Sequence, residues 1–274
     1  MEGDVVGKKV MILGSGEIGL IMARRMVLEG AEVIGVLNRG SFASGLTRNV
    51  VQCLDDYDIP LMFNTTISKI NGRDRLKSIE IVDTDENKRP IEGTEREVEC
   101  DTLLLSVGLI PENELSKSAG VKLYSKTKGP VVNELMETNV EGIFACGNVL
   151  HVHDLVDWVS HESKIAGKNA AKYIKKEVNE EAKSLKTTNL DGVSYIVPQK
   201  VRLENVEKNL NLYFRVTGIY ERAQVVVKSG GNELKKVTKR YKEKEKMESD
   251  KIDEKHFKDI KDEITIEVVK KKKK

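Results

Sequence analysis

Three glycines, Gly14, Gly16 and Gly19, punctuate the run Lys9-Val-Met-Ile-Leu-Gly-Ser-Gly-Glu-Ile-Gly. The chemistry open to such a turn is the holding of a diphosphate. Gly14 permits a tight turn, Gly16 lets an anion approach the backbone with no Cβ in the way, and Gly19 lets the following helix pack against the preceding strand. The backbone N–H groups around Ser15, Glu17 and Ile18, together with the positive end of that helix, would hold the phosphates. Ile18, Ile21, Met22, Met26 and Val27 fall broadly on one side of the helix, Gly30 is placed to end it, and residues 31–37 read as a second strand. Strand, glycine turn, helix and strand in register turn a weak GxGxxG into a dinucleotide-binding βαβ unit, against the alternative of a glycine-rich loop in another α/β protein. Where the second strand ends, an acidic residue commonly binds the adenosine ribose. Here Asn38 and Arg39 stand in that place. Asn38 can hydrogen-bond a hydroxyl without repelling a phosphate, and Arg39 can pair with a 2′-phosphate, so NAD and NADP both remain open. The alternative is that residues 38–40 are only a turn.

Two further motifs follow. Asp101-Thr-Leu-Leu-Leu-Ser-Val-Gly-Leu-Ile-Pro reads as a buried strand ending in a turn at Gly108, and Glu141-Gly-Ile-Phe-Ala-Cys-Gly-Asn reads as a short strand ending at Gly147 and Asn148. Beyond it, Leu155, Val156, Val159, Ala166, Ala170 and Ile174 mark an apolar helical face. His151 and His153 precede this helix beside Asp154 and Asp157. They are weak catalytic candidates, because imidazole titrates near neutral pH. Metal ligation and plain solvent-facing or capping histidines are the other readings, and no metal site is expected. His161 and Glu162 read as surface. Cys53, Cys100 and Cys146 form no CxxC pair and no zinc pattern, so they read as packing residues and give no support to a disulfide reductase.

The three motifs in this order resemble the pyridine nucleotide-disulfide oxidoreductase superfamily of FAD- and NAD(P)-dependent enzymes. The resemblance covers residues 1 to about 178. It implies that the first motif belongs to an NAD(P)H domain, that Gly108 returns the chain to an FAD domain, and that Gly147 and Asn148 touch the ribityl chain of FAD. Asn148 stands where most of the superfamily has Asp. Ala43-Ser-Gly-Leu-Thr-Arg-Asn and Gly147-Asn-Val-Leu-His-Val-His-Asp-Leu-Val-Asp are similar to a subgroup associated with glycerol-3-phosphate, proline or sarcosine-type dehydrogenases. The superfamily's N-terminal FAD-binding half has no counterpart before Lys9. A truncated or split chain is therefore expected, its FAD half a separate chain or dehydrogenase subunit. The activity implied is hydride transfer between nicotinamide and flavin. The alternatives are a non-catalytic NAD(P)-binding electron-transfer or regulatory subunit and a flavin-independent NAD(P)-dependent dehydrogenase.

The elements that would position these residues describe an α/β protein. Residues 1–112 read as a Rossmann-like NAD(P)H-binding domain, 113–178 as the C-terminal part of an FAD-binding domain, 179–191 as a charged linker, 192–269 as a small β-rich domain, and 270–274 as a basic tail. In the β-rich domain Val193, Tyr195 and Val197 alternate, as do Leu212, Phe214 and Val216, which suits half-buried strands. Residues 235–261 read as a long exposed hairpin or a mobile segment. This domain is expected to dock on a partner subunit or a second protomer, or to serve as a stabilising appendage. Charged residues make up 33% of the 274, yet they sum to only +2, so no broad nucleic-acid face is expected. No apolar run is long enough to span a membrane and no signal-peptide core precedes the first motif, which implies a cytoplasmic protein.

Overall fold

The computed structural model describes residues 7–241 and 247–270. The basic tail beyond Lys270 lies outside the described residues. The chain forms two compact units, Met1–Gly108 and Leu109–Lys274.

The first unit opens with β1 (Lys9–Leu13), α1 (Glu17–Leu28) and β2 (Glu32–Asn38), followed by α2 (Thr47–Cys53) and β3 (Leu61–Phe63). A meander of β4 (Thr65–Asn71), β5 (Ser78–Asp83) and β6 (Arg96–Glu99) precedes β7 (Thr102–Leu105). The parallel sheet has the order β3-β2-β1-β7, and the meander is a separate antiparallel sheet. Alternation along β1 explains the layering. Val10 and Ile12 pack with Leu20, Ala23 and Met26 of α1, whereas Met11 packs with Ile79 and Ile81 of β5. A strand covered on both faces reads as a continuous apolar run, as this one does. Along α1 the buried residues are Gly19, Leu20, Ala23 and Met26, while Ile18 is 65% exposed and Ile21 faces outward too. The apolar side expected from Ile18 and Ile21 is thus displaced by about one position. The close approach at Gly19 sets the helix's rotation.

The second unit begins with α3 (Glu114–Ser118) and continues to α4 (Val156–Ile174). Residues 141–146 were expected as a strand. They form a single bridge, Glu137 to Phe144, flanked by hydrogen bonds from Thr138 N–H to Ile143 and from Ala145 N–H to Met136. The extended backbone is present, but no ladder partner extends it among the described residues. Then come β8 (Ser184–Asn189), β9 (Val193–Val197), β10 (Lys200–Arg202), β11 (Asn209–Val216), β12 (Tyr220–Ser229), β13 (Asn232–Tyr241), β14 (Met247–Asp253) and β15 (Ile264–Lys270). The stretch read as a linker therefore contains β8, and the stretch read as a hairpin or mobile segment contains most of β13, β14 and a 3₁₀ turn.

These strands form a five-stranded sheet, β10-β8-β15-β12-β13, and a three-stranded antiparallel sheet, β14-β11-β9. Leu210, Leu212, Phe214 and Val216 of β11 point to the core shared with Val225, Val227, Ile264 and Ile266 of the larger sheet. Tyr213 points the other way. With Tyr195, Val197 and Met247 it packs on Val132, Met136, Leu150 and Ala166. The three-stranded sheet is covered on both faces, one of them by the segment that holds the Gly147 motif. The apolar face expected on α4 is also corrected. Its inward residues are Glu162, Ala166 and Asn169, with Trp158 and Ile165 half-buried, while Leu155, Val156 and Ile174 are exposed.

Candidate functional site

In the first unit the glycine turn is built between β1, β2 and β7. Gly14 donates its N–H to Leu37 (2.8 Å) and has φ +108°. A Cβ there would lie 2.0 Å from the Ser106 carbonyl oxygen, and one at Gly19 would lie 2.1 Å from the Gly14 carbonyl oxygen. Both glycines are thus demanded by the chain's own packing. Gly16 is different: its φ is −70°, and a Cβ would find only the Ser106 hydroxyl, at 3.9 Å. Nothing among the described residues requires a glycine at that position, and the space it leaves is open. Gly16 is also the N-cap of α1, with no side chain capping the helix. Uncapped N–H groups and the positive end of the dipole, reached through a gap with no Cβ, form an anion cradle.

The neighbouring side chains hold this cradle in shape. Ser15 is buried; its hydroxyl donates to Asn38 Oδ1 (2.8 Å) and accepts the Ser44 N–H (3.1 Å). Asn38 Nδ2 donates to the carbonyls of Gly40 and Phe42, each at 2.8 Å. Both amide hydrogens of Asn38 are spent on the loop, which leaves none for a ribose hydroxyl. Glu17 turns its carboxylate away from the helix start, accepting the Leu46 N–H (2.6 Å) and the Asn49 amide. Arg39 is exposed at the end of β2, with no ion pair among the described residues. Ile18 faces solvent. Gly108 has φ +99° and open space where its Cβ would be. The sequence reading overlooked Ser106, which wedges against all three glycines; its place just past the end of β7 was the available signal.

In the second unit Gly147 (φ +72°) begins a 3₁₀ turn, Gly147–Val149, and donates its N–H to Glu162 Oε2 at 2.6 Å. Asn148 is exposed. Its Oδ1 accepts the His153 N–H (3.0 Å) and lies 3.3 Å from His153 Nδ1, while its Nδ2 has no partner among the described residues. The two histidines are not solvent-facing. The His151 and His153 side chains are each 1% exposed, and that of Glu162 is 0% exposed. His151 Nε2 lies 2.8 Å from Glu162 Oε1, and His153 Nε2 lies 3.4 Å from Oε2. Glu162, expected on the surface, is the centre of the cluster. Its helical phase with Trp158, Ile165 and Ala166 was the signal that could have placed it inward.

The cluster continues into the β sheet. His151 Nδ1 is 3.3 Å from the Tyr195 hydroxyl, which accepts from Arg215 Nε at 3.3 Å. Arg215 also donates to the Val152 carbonyl (2.8 Å) and to Asp154 (2.9 Å). Burial pushes the His151 imidazole down, against the opposing pull of Glu162. For Glu162 burial would raise the carboxyl, but the two imidazoles beside it outweigh this and bring it to about 2. Cys53, Cys100 and Cys146 are free thiols, and burial raises the first two, which disfavours the reactive thiolate.

The family of pyridine nucleotide-disulphide oxidoreductases matches residues 1–163, a span that holds both glycine motifs and the His151 cluster. The chain belongs to this family. Its members bind FAD and NAD(P)H. Similar proteins include an NAD(P)H sulfur oxidoreductase (CoA-dependent) of Pyrococcus abyssi, 30% identical over 54% of this chain and 31% of that protein. A ferredoxin–NADP reductase of Ignicoccus hospitalis is 28% identical over 62% of this chain and 52% of its own length. Thioredoxin reductase of T. acidophilum shares the fold, with a TM-score of 0.54 and 24% identity over 63% of this chain and 54% of that one. The chain thus spans about half, or less, of the length of these family members. They are NAD(P)H oxidoreductases and thioredoxin reductases. The expected kinship with glycerol-3-phosphate or sarcosine-type dehydrogenase subunits finds no support among them. Among the described residues no helix is long and apolar enough to cross a membrane.

Proposed function

We propose that this chain is the nicotinamide-nucleotide-binding part of an NAD(P)H-dependent flavoprotein oxidoreductase. The open space at Gly16, in front of an uncapped helix start, carries the reading. Gly16 leaves the N–H groups at the start of α1 open to the pyrophosphate, Gly14 and Gly19 set the turn that presents them, and the Ser15–Asn38 pair holds the adjoining loop. Arg39 stands beside the ribose position as a cation for a 2′-phosphate. Asn148 fits a flavin in one respect: its outward Nδ2 can donate to a ribityl hydroxyl, where the carboxylate of most of the superfamily would accept from one. Bound together, nicotinamide and flavin would supply hydride transfer, while the chain orients them and sets the charge around them. The rest of the flavin site is proposed to come from an FAD-binding half outside these residues.

Fluorescence titration of the purified chain with NADH, NADPH and FAD tests this, with and without an added FAD-binding half. The expected outcome is pyridine nucleotide bound by the chain itself and FAD retained only in the presence of the second half. Binding of neither NADH nor NADPH ends the proposal. Stoichiometric FAD binding by these residues without that half removes the need for it. If Arg39 reads the 2′-phosphate, Arg39→Ala weakens NADPH roughly tenfold or more, the worth of one charge-assisted hydrogen bond, and leaves NADH unchanged.

A further inference from the structure

His151, His153 and Glu162 converge for a reason that the nucleotide chemistry does not supply. We infer that they form a binding site for one divalent transition-metal cation of the zinc type. This goes beyond the oxidoreductase reading and stands or falls independently of it.

The donor atoms are already gathered. One ligand atom from each of the three side chains lies within 4.8 Å of the others, and the two imidazole–carboxylate separations are 2.8 and 3.4 Å. With zinc bonds near 2.0–2.1 Å, tetrahedral ligands stand about 3.3 Å apart, so small shifts admit a cation. Two imidazoles and one carboxylate are a donor set that suits zinc and its first-row neighbours.

The tautomers supply the decisive argument. Asn148 Oδ1 accepts the backbone N–H of His153, a group that can only donate, and this fixes the amide oxygen toward the ring. His153 Nδ1, 3.3 Å from the same oxygen, must then carry the ring proton. In the neutral form of the ring this leaves Nε2 bare. That atom is buried with no hydrogen-bond partner among the described residues, and it faces a carboxylate oxygen. Two lone-pair-bearing atoms in a dry interior repel unless a cation lies between them. His151 can match this arrangement by moving its proton from Nε2 to Nδ1, where the Tyr195 oxygen stands ready to accept. Each ligating ring would then be oriented through its other nitrogen, and Glu162 through the Gly147 N–H, which is how outer-sphere partners hold metal ligands. Nearby charges permit it. Arg215 is ion-paired with Asp154, and Glu162 is the carboxylate that faces the two rings.

The test uses untagged chain stripped with a chelator and titrated with Co²⁺, then with competing Zn²⁺. One equivalent of Co²⁺ is expected, with visible d–d bands that Zn²⁺ abolishes. His153→Gln, which keeps the side chain's bulk, should weaken binding more than tenfold, with folding confirmed by circular dichroism. A variant lacking His161 and His256 should bind as the wild type does. Absence of stoichiometric Co²⁺ and Zn²⁺ binding by the folded wild type overturns the proposal, as does undiminished binding by His153→Gln. In either case a proton must fill the gap at Nε2. Glu162→Gln supplies a second measurement if it folds.

Discussion

Two glycines two residues apart do opposite work, and substitution separates them. Gly14→Ala places a Cβ against the Ser106 carbonyl at a positive φ. It should destabilise the chain by about 2 kcal/mol or more, read from urea midpoints. Gly16→Ala meets no protein atom closer than the Ser106 hydroxyl. It should cost at most about 1 kcal/mol of stability as a cap change yet weaken NAD(P)H roughly tenfold, close to 1.4 kcal/mol of binding. Equal nucleotide affinity in Gly16→Ala would remove the anion from that gap. Asp101 offers a pH test at the same scale. Its carboxylate accepts the N–H groups of Lys8 (2.8 Å) and Lys9 (3.1 Å), pinning the entry to β1. The Lys8 hydrogen bond leads in holding its pKa below the ordinary value, with burial opposing and Lys9 assisting. A depressed carboxyl contributes stability that is complete above the unfolded value of about 3.9 and disappears as pH falls through the folded one. Asp101→Asn should therefore flatten the acid limb of the stability curve, by less than about 1 kcal/mol because the group is solvated.

At the scale of elements, β1, α1, β2 and β7 were legible because a glycine turn and a buried run leave few alternatives. The strands carrying Val193 and Leu212 were legible from their alternation. The helices were found in place but turned, for a physical reason. On α1 the glycine contact decides which side faces the sheet, so two isoleucines look outward. On α4 a buried carboxylate occupies the phase that apolar counting reserves for leucine or alanine. Beyond its helical phase nothing in the sequence marks such a residue, because its partners lie elsewhere: Glu162 is satisfied by Gly147 and His151, and His151 by Tyr195 of β9. The three-stranded sheet can be probed directly. Leu212 and Tyr213 are consecutive and both fully buried, on opposite faces of β11. Leu212→Ala should cost about 2–5 kcal/mol through the cavity it opens between the two sheets, while leaving Co²⁺ affinity at the His151 cluster unchanged. Denaturant melts and metal titration of the same variant check both halves of that expectation.

For the molecule as a whole, the three stretches expected as separate parts after residue 112 belong to a single unit, because one sheet buries two faces and needs material from both sides of the supposed linker. No composition shift announces that kind of sharing. The order of the five-stranded sheet carries a kinetic consequence. β15 lies between β8 and β12, parallel to the first and antiparallel to the second. β8 pairs with nothing but β10 on its other side until a segment from far later in the sequence arrives. Meanwhile two rows of backbone donors and acceptors stand open, flanked by Leu185, Val225 and Val227. Such rows attract their like from neighbouring molecules, and distant pairing is slow. Refolding from urea should therefore return less native protein as concentration rises, with a soluble peptide of residues 264–270 partly restoring the yield by occupying the vacant lane.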